Sequence, residues 1–519
     1  MPDQLQAPPP PTRTRTARAA LTLSAKLLRT GSKALVQLVT TPIVVRTLGP
    51  QLFGAWAMIQ RLGVYVSVTD FRAAGITKLV LGLRQAQSDD HEKRRLLGAS
   101  LVVWLAFLPL MIATSALLIL LSHRLIPTDA VHVGAIRLAM AIFVLNILLA
   151  RILSIPANAL AAANLEYSAL HLEWVLPVAT GVATIAALLC GLGLPGVVLA
   201  YTIGMTLDGA LRLRIARRLL PWFGFAKPRR EEVRFFVGSS VWLQASSVAS
   251  MGLVGADVLI VGFVGGAALG GVYAMTIYVS RVCSEMISTV FASARPGLIN
   301  LCGAGDWPKI AQLRREMQRL SLGLGSLAAA CIIVLNGSFV RLWVGAEMYG
   351  GETANVLQAV VLLVIVMLRN EAIVLDGFLA LRSKAAATLA GAVAVVLLGL
   401  AMTRAWQLAG MSLALLIGHA IALSLALVWL SKRSGHTLRP FAGLGWRSGL
   451  SALALLGAAT ALRPAIAPGN WPALCLTGAA VFGLALGWTW LCTFDAETRQ
   501  LVLTRARVSL GEWGRRWNR

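Results

Sequence analysis

The chain has 519 residues, of which 57% are apolar and only 13% are charged. Soluble domains carry about 25% charged residues, so this composition excludes both a single water-soluble core and a disordered tail protein. Lysine and arginine number 47 against 22 aspartates and glutamates, which gives a formal net charge of +25. Most of the basic residues fall between apolar runs, so orientation in an anionic membrane explains them better than nucleic-acid binding does.

Residues 1–18 form a basic, proline-rich tail that we expect to stay in the cytoplasm. The apolar runs after it predict about fourteen membrane helices, because a segment in lipid must satisfy its own backbone hydrogen bonds. The predicted fold class is therefore an all-α polytopic membrane protein. The predicted spans are 20–46, 53–81, 98–122, 133–156, 172–192, 195–216, 235–262, 269–296, 319–342, 354–380, 385–404, 407–430, 447–464 and 472–493.

Basic residues are concentrated in every second connection between these helices, and the intervening connections are nearly free of them. This alternation places both termini in the cytoplasm. All the connections are short and leave no room for a soluble catalytic domain, so we expect a protein that is not an enzyme. The predicted division is a cytoplasmic tail (1–18), a first six-helix lobe (19–216), a basic cytoplasmic linker (217–234), a second six-helix lobe (235–431), helices 13 and 14 (432–493) and a basic cytoplasmic tail (494–519).

An internal repeat relates two parts of the chain, since residues 43–58 match residues 260–275 in order. Gly49 in the first copy corresponds to Gly266 in the second. Six predicted helices separate the two copies, and this even number gives both copies the same direction across the membrane. The repeat therefore predicts two parallel six-helix lobes around a central cavity, with helices 13 and 14 appended.

Several ionisable side chains lie inside the apolar runs, where each costs about 2.5–3.5 kcal/mol at the bilayer centre. Any one of them is equally well explained by a structural ion pair between helices. As a set they favour a water-filled, cationic cavity with an anionic guest. The residues predicted to bind this guest are Arg29, Lys33, Arg61, Arg72, Arg281 and Arg369. The residues predicted to couple ions or to pair charges are Asp70, Asp257, Glu285, Glu371 and Asp376.

Within the eighth predicted helix, Arg281 and Glu285 are one turn apart and could pair with each other. The sequence contains no P-loop, nucleophile constellation or metal-binding motif, and its six cysteines are scattered without CxxC spacing. We therefore expect no metal and no cofactor.

Two segments resemble a known family of membrane transporters. Residues 41–56, continuing to Asp70, resemble the opening of the polysaccharide-biosynthesis flippases, which belong to the multidrug/oligosaccharidyl-lipid/polysaccharide exporter superfamily. Residues 257–273 are similar to the start of the second half of those proteins. The resemblance implies two six-helix lobes, alternating access and a polyprenyl-diphosphate-linked oligosaccharide as substrate. The chain departs from the family at Val258, where a basic residue usually follows the acid, so no coupling mechanism is assigned to Asp257.

The predicted function is a bacterial inner-membrane flippase that moves such a glycan lipid to the outer leaflet for exopolysaccharide, capsule or O-antigen synthesis. The expected partners are the glycan lipid, anionic membrane lipids, and a polymerase with its chain-length proteins, but no nucleic acid. One alternative is a cation-coupled multidrug antiporter of the same superfamily, although the basic face formed by Lys33, Arg61 and Arg72 disfavours cationic drugs. Another is a membrane-embedded glycan polymerase or ligase, which would be expected to carry a large outer loop.

Overall fold

The computed structural model describes residues 15–66, 81, 89–163, 165–292, 295, 298, 301–302, 305–378, 380–433, 446–500 and 502–504. These residues contain helices and turns but no β-strand. The principal helices are α1 (Arg15–Val66), α2 (Asp90–Leu120), α3 (Val133–Ala162), α4 (Leu172–Leu189), α5 (Gly193–Leu219), α6 (Arg230–Gly255), α7 (Asp257–Thr276), α8 (Tyr278–Ala292), α9 (Trp307–Val344), α10 (Glu352–Gly377), α11 (Leu381–Arg433), α12 (Trp446–Leu462) and α13 (Trp471–Trp488).

Three of these helices contain a break with non-helical backbone, at Gly49 in α1, at Gly266 in α7 and at Trp406 and Gln407 in α11. If the chain is divided at the breaks and α6 and α8 are joined to the adjacent parts of α7, the division is consistent with the fourteen predicted spans. Within the described ranges, nine helices are long and apolar enough to cross a membrane, judged by length and composition. The fold is an all-α polytopic membrane architecture, as predicted.

The helices form two lobes. In the first lobe α3 packs on α5, and α4 packs on α1 and α5; in the second, α11 packs on α6, α7 and α10. The lobes meet mainly along α1 and α7, while α12 and α13 pack against α9. Between α5 and α6 the connection covers residues 220–229, which is shorter than the predicted linker because both flanking helices extend into it.

Connections that were predicted to lie on the same side of the membrane are in contact at each end of the helix bundle. At one end the Ala267 backbone N–H donates to the Pro127 carbonyl at 3.2 Å. At the other, the Ala226 N–H donates to the Arg94 carbonyl at 3.1 Å. The second contact brings together two of the loops that the sequence marks as basic.

The ninth helix begins earlier than predicted, at Trp307 instead of near residue 319. The Asp306 side chain caps this helix by accepting a hydrogen bond from the Lys309 backbone N–H at 3.3 Å. The predicted spans leave Arg314 in the basic connection between 296 and 319, but it lies on the helix and is buried against Glu371. The prediction was wrong here because a positive charge paired across helices was taken to be facing water.

The sequence repeat is also a structural repeat. Gly49 has φ 73° and ψ 169°, and Gly266 has φ 88° and ψ 160°, so the two turns share a backbone conformation that favours glycine. The two copies pack directly on each other through their next glycines. A β-carbon built on Gly54 would lie 1.7 Å from the Ala267 carbonyl oxygen, and one built on Gly271 would lie 3.0 Å from the Gly54 α-carbon. The interface between the lobes therefore consists of backbone against backbone at this point.

Replacing Gly54 with alanine is expected to destabilise the protein by about 1–3 kcal/mol, because the added methyl group overlaps a backbone carbonyl that has no rotamer to change. The matched control is Gly483→Ala in α13, where an added β-carbon meets nothing within 4 Å. A helix-interior glycine-to-alanine change without a clash is expected to be neutral or to stabilise by about 0.5–1 kcal/mol. Thermal unfolding midpoints in detergent test this difference, and equal midpoints for the two variants would contradict it.

Candidate functional site

Five of the predicted site residues line one cavity between the lobes. Its volume is about 170 Å³, and the five are Arg61, Asp257, Arg281, Glu285 and Arg369. Arg61 is supplied by α1 in the first lobe, whereas the other four are supplied by α7, α8 and α10 in the second. These side chains carry three positive charges and two negative charges.

The most buried charge of this cavity is Asp257, the first residue of α7, which is 1% exposed. Its carboxylate accepts hydrogen bonds from Nη2 of Arg281, at 2.7 Å to Oδ1 and 2.6 Å to Oδ2. Oδ1 also accepts a hydrogen bond from the Val258 backbone N–H at 2.8 Å. One acidic charge of the cavity is therefore already balanced within the second lobe.

The predicted pair of Arg281 with Glu285 is wrong. Arg281 and Glu285 do share a face of α8, but each is paired with a side chain from another helix. Arg281 reaches instead to Asp257 at the junction of α6 and α7. Glu285 pairs with Arg369 of α10, whose Nη1 lies 3.1 Å from Oε2 of Glu285. This second pair is more exposed than the first.

Arg61 is the charge in this cavity that the two ion pairs leave unbalanced. Within the part of the chain that the structure describes, the half-buried Arg61 has no carboxylate within 4.0 Å, although Asp257 lies near enough to interact with its charge. Its neighbours Arg281 and Arg369 are each compensated by a carboxylate. The arrangement therefore leaves an attractive site for an anion beside the guanidinium of Arg61.

The remaining predicted residues lie elsewhere. Lys33 lines a second and larger cavity, inside the first lobe. Glu371 is buried against Arg314 and Gln318 of α9. Asp376 lies 2.7 Å from Nζ of Lys384 and 3.4 Å from Nη2 of Arg295. Both acids thus make structural ion pairs outside the 170 Å³ cavity.

Three predicted residues have no described side-chain position. Asp70 and Arg72 lie outside the described residues, and for Arg29 only the backbone, within α1, is described. No contact of these three side chains enters the description of the site.

Sequence reasoning missed His419, which lines the same cavity and is 1% exposed. Its Nδ1 lies 2.8 Å from the Leu415 carbonyl oxygen, which fixes the proton on Nδ1. Its Nε2 has no hydrogen-bond partner among the residues described. The signal was present, because His419 is the one ionisable residue of the predicted span 407–430, but a single polar residue gives no spacing from which to assign a face.

A search of the described ranges finds no group of histidine, cysteine, aspartate and glutamate side chains that could hold a metal ion.

Comparisons with known proteins agree with this architecture. A family model described as "Polysaccharide biosynthesis protein" matches residues 23–296. The membrane protein EpsK of Bacillus subtilis (strain 168), which is itself described as uncharacterized, is 26% identical over 495 residues, covering 91% of this chain and 94% of that protein.

Two solved structures share the fold. The lipid II flippase MurJ in an inward closed conformation has a TM-score of 0.66 at 12% identity, covering 91% of this chain and 98% of its own. An inward-facing multidrug resistance transporter of the MATE family, in the MOP superfamily, has a TM-score of 0.65 at 12% identity, covering 81% of this chain and 98% of its own. At these identities the likeness establishes the two-lobe helical fold alone.

Proposed function

Because the chain belongs to the polysaccharide biosynthesis protein family, we propose that it is a flippase for a polyprenyl-diphosphate-linked oligosaccharide. The substrate moves from the cytoplasmic to the outer leaflet of a bacterial inner membrane, for the synthesis of an exopolysaccharide, a capsule or an O-antigen. The protein acts by alternating access of the cavity between its lobes, and it makes and breaks no covalent bond.

The observation that carries this proposal is the position of Arg61 in the cavity between the lobes. A diphosphate cannot cross hydrocarbon unaided, because burial of even one unpaired charge is costly. A guanidinium that is not already engaged by a carboxylate offers paired donors to phosphate oxygens. Since Arg61 comes from one lobe and Arg281 and Arg369 from the other, a bound diphosphate would be held by both lobes.

Alternating access requires the contacts between the lobes to separate. Besides the Gly54 contact, Nε1 of Trp343 donates to the Leu38 carbonyl at 2.7 Å, and the Tyr278 hydroxyl donates to Oε1 of Gln37 at 2.8 Å. These two hydrogen bonds are neutral, each worth about 0.5–1.5 kcal/mol net. At the basic end of the bundle an ion pair also joins the lobes, since Nε of Arg95 in α2 lies 3.0 Å from Oε1 of Glu232 in α6. Substrate binding has to offset the loss of those contacts that open on the side facing the substrate.

The alternative of a multidrug antiporter for cations is less well supported by this cavity. Such a transporter needs an available carboxylate, whereas Asp257 and Glu285 are each paired with an arginine. A diphosphate-linked substrate meets a cavity whose side-chain charges sum to a positive value. The partners in the proposed role are the glycan lipid, anionic membrane lipids, and a polymerase with its chain-length proteins.

The orientation that we propose follows the positive-inside rule, with both termini in the cytoplasm. The end at which Arg94 contacts Ala226 is rich in lysine and arginine, and the end at which Pro127 contacts Ala267 is poor in them. Reporter fusions after residues 90 and 228 should indicate the cytoplasm, and fusions after 127 and 266 should indicate the outside. Any exchange between the two sets would contradict this orientation.

In cells that lack the protein, the lipid-linked oligosaccharide is expected to accumulate on the cytoplasmic leaflet. Membrane-impermeant periodate, added to intact spheroplasts, should then oxidise far less of this lipid than it does in complemented cells. Lysis should make the lipid equally reactive in both strains, which controls for its abundance. Equal oxidation in intact spheroplasts of both strains would overturn the proposed function.

A further inference from the structure

A second cavity lies within the first lobe and is lined by α1, α4 and α5. Its volume is about 390 Å³, which falls within the range of about 300–1,000 Å³ for small-molecule sites. The 170 Å³ cavity that holds Arg61 is too small for more than part of a glycan lipid. The larger cavity has the room that the smaller one lacks.

The larger cavity is electrically balanced. Arg212 donates from Nη2 to Oε1 of Glu173 at 2.7 Å and from Nε to Oδ1 of Asp208 at 2.7 Å. With Lys33, the lining therefore contains two cationic and two anionic side chains. A balanced lining of this kind does not select a charged guest.

The lining also has unused hydrogen-bonding capacity. In the part of the chain covered by the structure, the side chains of Thr40, Thr180 and Gln60 make no hydrogen bond to protein. Such groups inside a membrane bundle require water or a ligand, because lipid offers no partner. They supply hydroxyl and amide groups, each of which both donates and accepts.

An aromatic wall completes the lining. Tyr201 is 39% exposed, and its ring packs against the Trp56 ring with the centroids 6.1 Å apart. An aromatic face beside hydroxyl and amide groups is complementary to a sugar ring, which has an apolar C–H face and a rim of hydroxyls.

The two cavities share a wall. Gln60 lines the larger cavity and Arg61, the next residue of α1, lines the smaller. Gln37 of the larger cavity accepts a hydrogen bond at 2.8 Å from Tyr278, which lies one turn before Arg281 on α8. The two cavities therefore lie on adjacent faces of the same helix, α1.

We propose that the larger cavity binds a neutral sugar ring of the glycan while the diphosphate lies beside Arg61. The inference rests on the proposed function, and it adds that the first lobe recognises the carbohydrate and the interface between the lobes recognises the charge. A transported glycan lipid is then bound at two sites, and a different set of residues forms each site.

The test measures two dissociation constants on the purified full-length protein in nanodiscs. The probes are undecaprenyl diphosphate and the lipid-linked oligosaccharide extracted from cells that lack the protein. Wild type should bind the extracted lipid about tenfold more tightly than undecaprenyl diphosphate, as about two net hydrogen bonds provide. The triple variant Thr40→Val, Thr180→Val, Gln60→Leu should bind both probes equally, with unchanged affinity for undecaprenyl diphosphate.

The matched control is Thr460→Val with Thr477→Val, because these two hydroxyls bond to carbonyls of their own helices and line neither cavity. The control should keep the tenfold ratio. Equal affinity of wild type for the two probes would overturn the sugar site and leave the flippase proposal intact, whereas no binding of either probe would overturn the flippase proposal itself. Displacement of the extracted lipid by tetraphenylphosphonium in wild type, but not in the triple variant, would assign the cavity to organic cations instead.

Discussion

Replacing Glu371 with alanine is expected to destabilise the protein by about 3–5 kcal/mol, because it leaves a buried guanidinium without its carboxylate. Glu371 is 2% exposed and Arg314 is 3% exposed, and Nε of Arg314 lies 2.8 Å from Oε2 of Glu371. Gln318 donates to the other carboxylate oxygen at 2.6 Å. The thermal unfolding midpoint in detergent and the abundance in membranes should both fall sharply.

The matched control is Glu497→Ala, which removes a glutamate that also pairs with an arginine of α9. Oε2 of Glu497 lies 2.6 Å from Nη1 of Arg319, but its side chain is 69% exposed. Arg319 keeps Asp495 at 3.1 Å, so this change should cost less than about 1 kcal/mol. Wild-type stability of Glu371→Ala combined with lost export would contradict the structural role and assign Glu371 to transport.

Replacing Arg61 with alanine is expected to lower glycan export by about 10–100-fold while membrane abundance stays at the wild-type level. The size of the loss corresponds to about 1.5–3 kcal/mol for a hydrogen bond to a charged group. Abundance is preserved because Arg61 has no ion-pair partner within the described ranges that its removal would strand. Export by Arg61→Lys should lie between that of wild type and that of Arg61→Ala, since lysine keeps the charge but loses the paired donors.

Two further arginine variants distinguish a binding role of Arg61 from a general effect of removing an arginine. Arg281→Ala should lower abundance as well as export, because it strands the buried carboxylate of Asp257. Arg404→Ala, at an exposed position that lines neither cavity, should change neither quantity. Export and membrane protein level are measured in the same strains, and normal export by Arg61→Ala would contradict the binding role of Arg61.

Hydropathy and the repeat predicted most of the fold, whereas the orientation inferred from loop charge stays a prediction. Each of these signals is contained in a continuous segment and does not depend on how the helices pack. One is an apolar run of sufficient length. The other is the repeated glycine at residues 49 and 266, which adopts the same backbone conformation in both copies. Of the predicted site residues, Arg61, Arg281 and Arg369 share a cavity with Asp257 and Glu285, and their roles there stay a prediction. Ionisable residues inside apolar runs thus led to this cavity in some cases and to buried ion pairs elsewhere in others.

The partners of these charges could not be predicted from the sequence, because they depend on how distant helices pack. Spacing suggested that Arg281 would pair with Glu285, but the packing of α8 against the start of α7 offered it Asp257. The sequence alone places Arg314 in a basic connection, whereas in the structure it pairs with Glu371 of α10. Lys33 was grouped with Arg61 because both are basic residues in neighbouring predicted helices, yet the two side chains line different cavities.

The reciprocal glycine contact between the two repeat copies has a mechanical consequence. Where Gly54 faces Ala267 and Gly271 faces Gly54, no side chains interlock, so the surfaces of the two lobes are smooth there. Helices with interdigitated side chains must climb out of their grooves before they can slide, and small residues remove that obstacle. At this point the two lobes can therefore shift against each other without a side chain in the way, and the nearest interlocking side chain is the flexible Met58, which packs onto Gly262.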